Sequence, residues 1–216
     1  MRKTRASIAK AVSRQTVAAR AGFANNRTAM AGFLAARSHC WRAHFYTFFK
    51  RHRRAIQEFE RALAIDPGML DAWRGAGFLY AQENESGKAI TALQAAVKLA
   101  PDDADTRFNL GFLHHERGEL DDAVTQFKEA LRLKPLLDRA WYGLGLIYLD
   151  RRDLPAAIEH LQEAAKLQYF NPHAGHQLAI AYHRAGEHDK AVAELKRVDS
   201  YDPKMGAQIA RDIGVR

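Results

Sequence analysis

The sequence repeats with a period of 34 residues, and this period constrains the fold more than any other feature of the chain. Small residues mark one position of each period: Ala43, Gly77, Gly111, Gly145 and Ala179. Rings follow three residues later, at Tyr46, Tyr80, His114, Tyr148 and Tyr182. Alanine marks a further position: Ala55, Ala89, Ala123, Ala157 and Ala191. Large apolar side chains stand four residues beyond it, at Phe59, Leu93, Phe127, Leu161 and Leu195. Columns that keep one phase for so long indicate an array of equivalent units.

The chemistry of these columns is typical of stacked helix pairs. A pair of helices, A and B, cannot bury its own apolar face, so neighbouring pairs must stack to form a continuous core. Small residues stand where we expect helix A to approach helix B. Gly118 and Gly186 stand between the two helices, where a left-handed residue is easiest. Prolines cannot donate a backbone hydrogen bond, and four of them are expected to end helix B: Pro67, Pro101, Pro135 and Pro203.

This pattern resembles the tetratricopeptide repeat family, whose 34-residue unit follows W-x2-L-G-x2-Y…A-x3-F…P. The fourth unit matches it at Trp141, Leu144, Gly145, Tyr148, Ala157 and Leu161. The third unit matches it at Leu110, Gly111, Ala123, Phe127 and Pro135. Arg107 stands where the family has tryptophan. The resemblance covers residues 36–205 and leaves the pathway open, since such arrays serve many unrelated functions.

The resemblance implies an all-α fold, a right-handed superhelical α-solenoid of about five helix–turn–helix repeats. We predict a degenerate first repeat at 36–69, followed by repeats at 70–103, 104–137, 138–171 and 172–205. Residues 1–35 are predicted to form a basic, flexible N-terminal leader. Residues 206–216 are predicted to complete a short C-terminal capping helix, because Met205, Ile209 and Ile213 are spaced to cover the last exposed core face.

Charge is distributed unevenly along the chain. Residues 1–57 contain no acidic residue and thirteen basic residues, whereas residues 58–216 contain 20 basic and 25 acidic residues. The acid-free leader, which contains Ala, Arg and Ser, has the composition of an organelle transit peptide. Three alternatives remain open: a flexible basic tail, a start codon placed too far upstream, and a contact with nucleic acid or anionic lipid.

Cysteine usage and hydropathy bear on the compartment. Cys40 is the only cysteine, so no intramolecular disulfide can form, which fits a reducing compartment. The sequence contains no run of 18 or more apolar residues, so it predicts no membrane-spanning helix. We therefore expect a cytoplasmic protein, with organelle targeting through residues 1–35 as the alternative.

The resemblance also implies a partner-binding groove, because helix A of each repeat lines a concave surface in this family. The candidate groove residues, taken by register, are Arg74, Phe78, Phe108, Asn109, Phe112, His115, Arg139, Tyr142, Leu146, His176 and His183. Leu149 falls at the same repeat position as His183. Such a mixture of aromatic and polar groups suits an extended peptide or a partner helix. The alternative is that the apolar members only pack within the stack.

One subclass of the family holds the C-terminal carboxylate of chaperone tails with two asparagines and three basic residues. Arg74, Asn109 and Arg139 fall at three of those places. Phe78 and Gly143 replace a required asparagine and a required basic residue, so the clamp is incomplete. The two arginines still favour an acidic peptide.

The histidines do not predict a metal site. His173 and His176 lie one helical turn apart, but His183 lies about two turns further on, and no cysteine or carboxylate obviously completes a ligand set. The sequence also lacks the nucleotide-binding, metalloprotease and serine-hydrolase motifs. We therefore expect no cofactor, no metal and no enzymatic activity.

Aromatic residues crowd the degenerate first repeat, at Trp41, Phe45, Tyr46, Phe48 and Phe49. We interpret this segment as a worn repeat that caps one end of the stack. The alternative is that these rings, interleaved with Arg42, Arg51 and Arg53, stack on nucleic-acid bases.

These observations predict a non-catalytic scaffold or adaptor that binds a partner peptide or helix in the groove. The alternative is an assembly factor that its basic leader directs to an organelle, an anionic membrane or nucleic acid. A protein or peptide partner is expected and a small-molecule substrate is not. Binding to nucleic acid or to an anionic membrane is expected only through the basic leader. The pattern leaves the partner, the pathway and the oligomeric state open.

Overall fold

The computed structural model describes residues 30–215, which form α-helices joined by short turns. No β-strand occurs within that range, which confirms the predicted all-α fold. The helices are α1 (30–48), α2 (His52–Ile65), α3 (Leu70–Gln82), α4 (Ser86–Leu99), α5 (Ala104–Glu116), α6 (Leu120–Leu133), α7 (Asp138–Asp150), α8 (Leu154–Leu167), α9 (Pro172–Arg184), α10 (His188–Asp199) and α11 (Pro203–Asp212).

The chain divides after Glu85 into two compact units. Helices α1, α2 and α3 lie in the first unit, where α2 packs against α3 and α1 contacts both. Helices α4 to α11 lie in the second unit. There α5 pairs with α6, α7 with α8 and α9 with α10, and successive pairs pack through α6–α7 and α8–α9 contacts. Helix–turn–helix repeats therefore build the second unit, as the period predicts.

Glycine allows the two helices of a pair to approach closely in the second unit. A Cβ atom at Gly111 would lie 2.9 Å from Cδ1 of Phe127, and one at Gly145 would lie 2.5 Å from Cγ of Leu161. Phe127 and Leu161 are almost fully buried. The small-residue column therefore marks the contact between helix A and helix B in these two repeats.

A glycine in the following repeat also leaves space for the Phe127 ring. A Cβ atom at Gly143 on α7 would lie 2.8 Å from Cζ of Phe127, and Gly75 on α3 faces Phe59 in the same way. The equivalent helix-B positions of two other repeats hold leucine instead of phenylalanine. The residues 16 positions after those leucines are larger: Asn109 and Gln177. The size of the helix-B side chain thus determines which residue the next helix A can carry.

A side-chain hydrogen bond fixes the turn between successive repeats. Trp73 and Trp141 each donate from Nε1 at 2.8 Å to the carbonyl oxygen six residues earlier, and Arg107 donates from Nε at 2.9 Å. The three acceptors are Pro67, Pro135 and Pro101, respectively. Arg107 therefore supplies the same planar N–H donor as the tryptophan that it replaces.

In the last repeat, a residue of helix B donates the hydrogen bond to the equivalent carbonyl oxygen. Gly175 occupies the tryptophan position, and Arg197 of α10 donates from Nη1 to the carbonyl oxygen of Tyr169. A Cβ atom at Gly175 would lie 2.7 Å from Nη2 of Arg197, so the guanidinium fills the space that a side chain would occupy. An ion pair with Glu194 holds that guanidinium in place.

Each turn between helix A and helix B places one residue in the left-handed region, with φ between 54° and 79°. These residues recur every 34 positions: Lys50, Asn84, Gly118, Arg152 and Gly186. The left-handed conformation expected at the two glycines is confirmed. Larger residues adopt it in the other three repeats at some conformational cost.

Helix α11 covers the end of the core, as predicted. Ile209 and Ile213 are buried, and the partly buried Met205 packs against the same apolar cluster. The Asp202 side chain caps the helix by accepting a hydrogen bond of 3.0 Å from the Met205 amide.

Helix α1 includes residues that the sequence analysis assigned to the leader, because residues 30–35 are helical. The rest of the leader, residues 1–29, and residue 216 lie outside the described residues, and so do the alternatives that concern targeting. None of the helices between residues 30 and 215 combines the length and the apolar character needed to cross a lipid bilayer.

We predict that Gly143→Ala lowers the free energy of unfolding by ~1–3 kcal/mol, because the new methyl group overlaps the Phe127 ring. Phe127→Leu in the same chain should relieve part of that loss, since the leucine leaves more room. Urea denaturation of the two single variants and the double variant measures this coupling.

Gly87→Ala is the matched control, because its Cβ atom would have no neighbour nearer than 3.9 Å. This control should be neutral or slightly stabilising. Strictly additive effects of Gly143→Ala and Phe127→Leu would contradict the packing argument.

Candidate partner-binding site

The outer positions of helix A in the second unit form the candidate site. Helices α5 and α7 are neighbours, and each carries side chains that are not fully buried, of which Phe108 and Tyr142 also pack against the apolar core. We define the α5–α7 face by six of the predicted groove residues: Phe108, Asn109, Phe112, Arg139, Tyr142 and Leu146. All six are exposed or partly buried.

Arg139 is the central charged group of this face. Its guanidinium carbon lies 4.6 Å from the centroid of the Phe108 ring, in a cation–π contact. Its Nη2 atom lies 3.5 Å from Oδ1 of Asp105, and Lys134 lies 3.4 Å from the other carboxylate oxygen. These ion pairs are about half exposed, so each contributes little and can exchange with an acidic ligand.

Aromatic side chains form the apolar part of the face. The Phe108 ring lies 5.7 Å from the buried ring of Phe127, which fixes its position. Phe112 is 46% exposed and offers apolar surface to a partner. Burial raises the pKa of Tyr142 above its ordinary value, and the hydroxyl group, like that of any unshifted tyrosine, is a hydrogen-bond donor at neutral pH. The face thus combines an apolar surface with one cation and several hydrogen-bonding groups.

Two of the three predicted groove histidines make contacts elsewhere in the structure. Nε2 of His176 lies 2.6 Å from Oδ2 of Asp212 on α11, and the side chain is only 16% exposed. The ring of His183 lies 5.1 Å from that of His188, at the turn between α9 and α10. His115 is partly buried on α5. His176 holds the same repeat position as Tyr142, but its side chain contacts Asp212 of the capping helix α11.

One residue placed on the groove by register lies in the core instead. Leu149 is 4% exposed and belongs to the apolar cluster formed by α7 to α11. The register alone misses this burial, because the outer position near the end of α7 also faces the next helix pair.

Two further candidates belong to the first unit. Phe78 on α3 is 53% exposed. Arg74, one turn earlier, is also exposed, and its charge helps His44 hold the pKa of Asp71 below its ordinary value against the effect of burial. Both residues therefore stand on the outer surface of α3.

The chaperone-tail clamp is excluded by packing as well as by sequence. Gly143 stands where the clamp requires a basic residue, and any side chain there would meet the Phe127 ring. The missing cation is therefore a consequence of the core and not a chance substitution.

Asp105 is the acidic neighbour of Arg139 on this surface. It lies 34 residues before Arg139, so the two residues occupy the same position in adjacent repeats. The 34-residue offset is thus a signal that could have predicted their ion pair.

Comparison with known proteins agrees with this architecture. The family model described as Tetratricopeptide repeat matches four overlapping segments, at 50–104, 77–138, 108–172 and 142–204. The fold thus defines a helical-repeat protein of the interaction-module class. The chain belongs to the tetratricopeptide repeat family. No curated protein sequence matches it significantly.

Solved structures share this fold at low sequence identity. MamA is 22% identical with a TM-score of 0.74, covering 79% of this chain and 93% of MamA. YrrB, described as a TPR protein with an unusual peptide-binding site, is 16% identical with a TM-score of 0.70, covering 80% and 90% of the two chains. PilF of Pseudomonas aeruginosa is 20% identical with a TM-score of 0.69, covering 84% and 85%. At these identities the likeness establishes the fold alone.

We predict that Asp212→Asn destabilises the protein at about pH 7 but has little effect at about pH 2. The hydrogen bond with His176, reinforced by Gln208, holds the pKa of Asp212 below its ordinary value. Ionised Asp212 therefore contributes stability above its unfolded-state pKa of ~3.9, and that contribution is lost as pH falls through the lower native pKa. Urea denaturation at both pH values measures the effect. An equal loss at both would contradict the assignment.

Proposed function

We propose that the protein is a non-catalytic adaptor whose α5–α7 face binds an extended, acidic segment of a partner protein. The observation that carries the proposal is the half-exposed Arg139 guanidinium, which is fixed over Phe108 and stands on the same face as the exposed Phe112. A fixed cation beside an exposed ring suits a peptide that combines a carboxylate with an aromatic or aliphatic side chain.

The energetics favour a ligand in this position. Arg139 already stacks on Phe108, so a ligand carboxylate meets a guanidinium that has lost much of its conformational freedom. Asp105 accepts hydrogen bonds from both Arg139 and Lys134. When Arg139 binds a ligand carboxylate instead, Lys134 therefore remains as the partner of Asp105. Covering the Phe112 ring would remove exposed apolar surface from water.

The family context supports a binding role and not a reaction. Tetratricopeptide repeats are generally non-catalytic interaction modules. YrrB, which has the same fold, is described as having a peptide-binding site, although its identity with this chain is only 16%. The residues of the α5–α7 face supply hydrogen bonds, charge and apolar contact, which are the means of peptide recognition.

Selection of a random peptide library on the full chain tests the proposal. Selected peptides should combine Asp or Glu with a large apolar residue. Fluorescence anisotropy should then show that Arg139→Glu weakens binding by about tenfold or more, since it replaces an attractive charge pair by a repulsive one. Phe112→Ser should also weaken binding.

Arg132→Glu on α6 is the matched control, because it makes the same charge change at an exposed arginine whose partner is Glu129. Its effect should be small. Selected peptides without acidic residues, or equal binding by the Arg139→Glu variant, would refute the proposed face.

A second candidate function rests on an exposed apolar surface in the first unit. We define the α1 outer face by six large, exposed apolar side chains of this helix: Met30, Phe33, Leu34, Trp41, Phe45 and Phe48. Trp41 is 68% exposed and Phe48 is 81% exposed. The opposite side of α1 is buried, at Ala36, Cys40 and Ala43. The crowded aromatics therefore form an outward surface instead of a buried end of the core.

Charge favours an anionic lipid surface as the occupant of the α1 outer face. Residues 1–57 contain no acidic side chain, so a second copy of this segment would be repelled. Exposed basic residues follow the aromatic cluster directly, at Lys50, Arg51, Arg53 and Arg54. A helix with aromatic and aliphatic residues on one side and a cationic flank is typical of proteins that lie in the membrane interface.

We predict that the full chain binds vesicles of phosphatidylcholine with phosphatidylserine and not vesicles of phosphatidylcholine alone. Trp41→Ser with Phe48→Ser should abolish most of the binding without unfolding, because both side chains are exposed. Vesicle sedimentation measures it. Leu136→Ser is the control, since Leu136 is 74% exposed in the second unit.

Equal binding to neutral vesicles would contradict the charge argument. Binding of single-stranded DNA that the double variant loses, without any binding to vesicles, would instead favour a nucleic-acid surface.

A further inference from the structure

Three side chains with metal-binding atoms meet on the surface of the first unit. Oδ2 of Asp71 lies 3.4 Å from Sγ of Cys40 and 2.7 Å from Nε2 of His44. All three donor atoms lie within 4.8 Å of one another. We propose that Cys40, His44 and Asp71 bind one zinc ion and thereby link α1 to α3.

Helix geometry brings these donors together. Cys40 and His44 are four residues apart on α1 and therefore lie on one side of the helix, one turn from each other. Asp71 lies in the first turn of α3. The ring of His44 meets the buried ring of Phe59 edge-on, with centroids 5.2 Å apart, which fixes the direction of the imidazole.

The distances suit a tetrahedral ion. Zinc binds thiolate sulfur at ~2.3 Å and imidazole nitrogen or carboxylate oxygen at ~2.0–2.2 Å, so donor atoms in a tetrahedral site lie roughly 3.3–3.7 Å apart. The separation of Cys40 from Asp71 already falls in this range. The separation of His44 from Asp71 must widen by about 0.5 Å, which a side-chain rotation supplies.

The donor types and their exposure select zinc. Sulfur, nitrogen and oxygen donors together favour zinc over calcium or magnesium, which prefer oxygen alone. A thiolate and a carboxylate would neutralise the two charges of the ion. Half of the His44 side chain and about two-thirds of the Asp71 side chain are exposed, at 51% and 68%, so an ion can enter from solvent. A water molecule would complete the coordination.

A second group of donors in the other unit does not meet the same conditions. His114, Glu119 and Asp122 also lie close together. However, the group contains no sulfur, and Nε of Arg117 lies 2.7 Å from the Glu119 carboxylate in a direct ion pair. This group therefore serves as an internal comparison.

Titration of the metal-free full chain with Co²⁺ tests the proposal. One equivalent should produce the visible bands of a tetrahedral site together with a near-ultraviolet band from thiolate-to-cobalt charge transfer. Zinc should bleach both bands by competition. Zinc should also raise the unfolding temperature of the parent protein, because it binds the folded state.

The variants separate coordination from folding. Cys40→Ser should abolish the charge-transfer band, and Asp71→Asn, at an exposed side chain, should weaken cobalt binding about tenfold or more. His173→Asn is the control for His44→Asn and should leave binding unchanged. Absence of the charge-transfer band in the parent would overturn the proposal. So would binding that survives the combined His44→Asn and Asp71→Asn change.

Discussion

The close approach of helix A to helix B is the constraint on which the rest of this structure depends. Gly111 and Gly145 have no side chain because Phe127 and Leu161 occupy the space beside them. The same Phe127 ring excludes a side chain at Gly143 in the next repeat. One buried ring thus sets the spacing within its own pair and between pairs, so the position of each repeat follows from the repeat before it.

Because the core uses mainly one side of helix A, the outer side is available for function. The core of α5 and α7 uses residues such as Leu110 and Leu144, whereas Phe112 and Arg139 project where no packing demand holds them. Arg139 nevertheless has a defined position, because Phe108 lies beneath it and Phe127 lies beneath Phe108. Rigid support by the core and exposure to solvent therefore coincide in one residue, which is what a recognition site requires.

The 34-residue period predicted most of the fold because it records packing that recurs. The helices and the left-handed turn at Gly118 follow from it, whereas the burial of Ile209 follows from the spacing of Met205, Ile209 and Ile213. The period also indicates the Asp105–Arg139 ion pair, because the two residues occupy the same position in adjacent repeats. It could not predict contacts that occur once. The contact of His176 with Asp212 depends on the docking of α11, and the contact of Cys40 with Asp71 depends on the packing of a degenerate helix that matches the columns only at Ala43 and Tyr46.

The hydrogen bond to the carbonyl between repeats has a consequence for how such a chain can evolve. Trp73, Arg107 and Trp141 each carry the donor on helix A, but in the last repeat the donor is Arg197 on helix B, opposite Gly175. Recombination at a boundary between repeats would inherit donor and glycine together. Recombination between the two helices of that repeat would combine Gly175 with a helix B that has Glu163 in place of the arginine. Exchange of the complete helix pair therefore preserves this hydrogen bond, whereas exchange of α10 for a copy of α8 alone removes its donor.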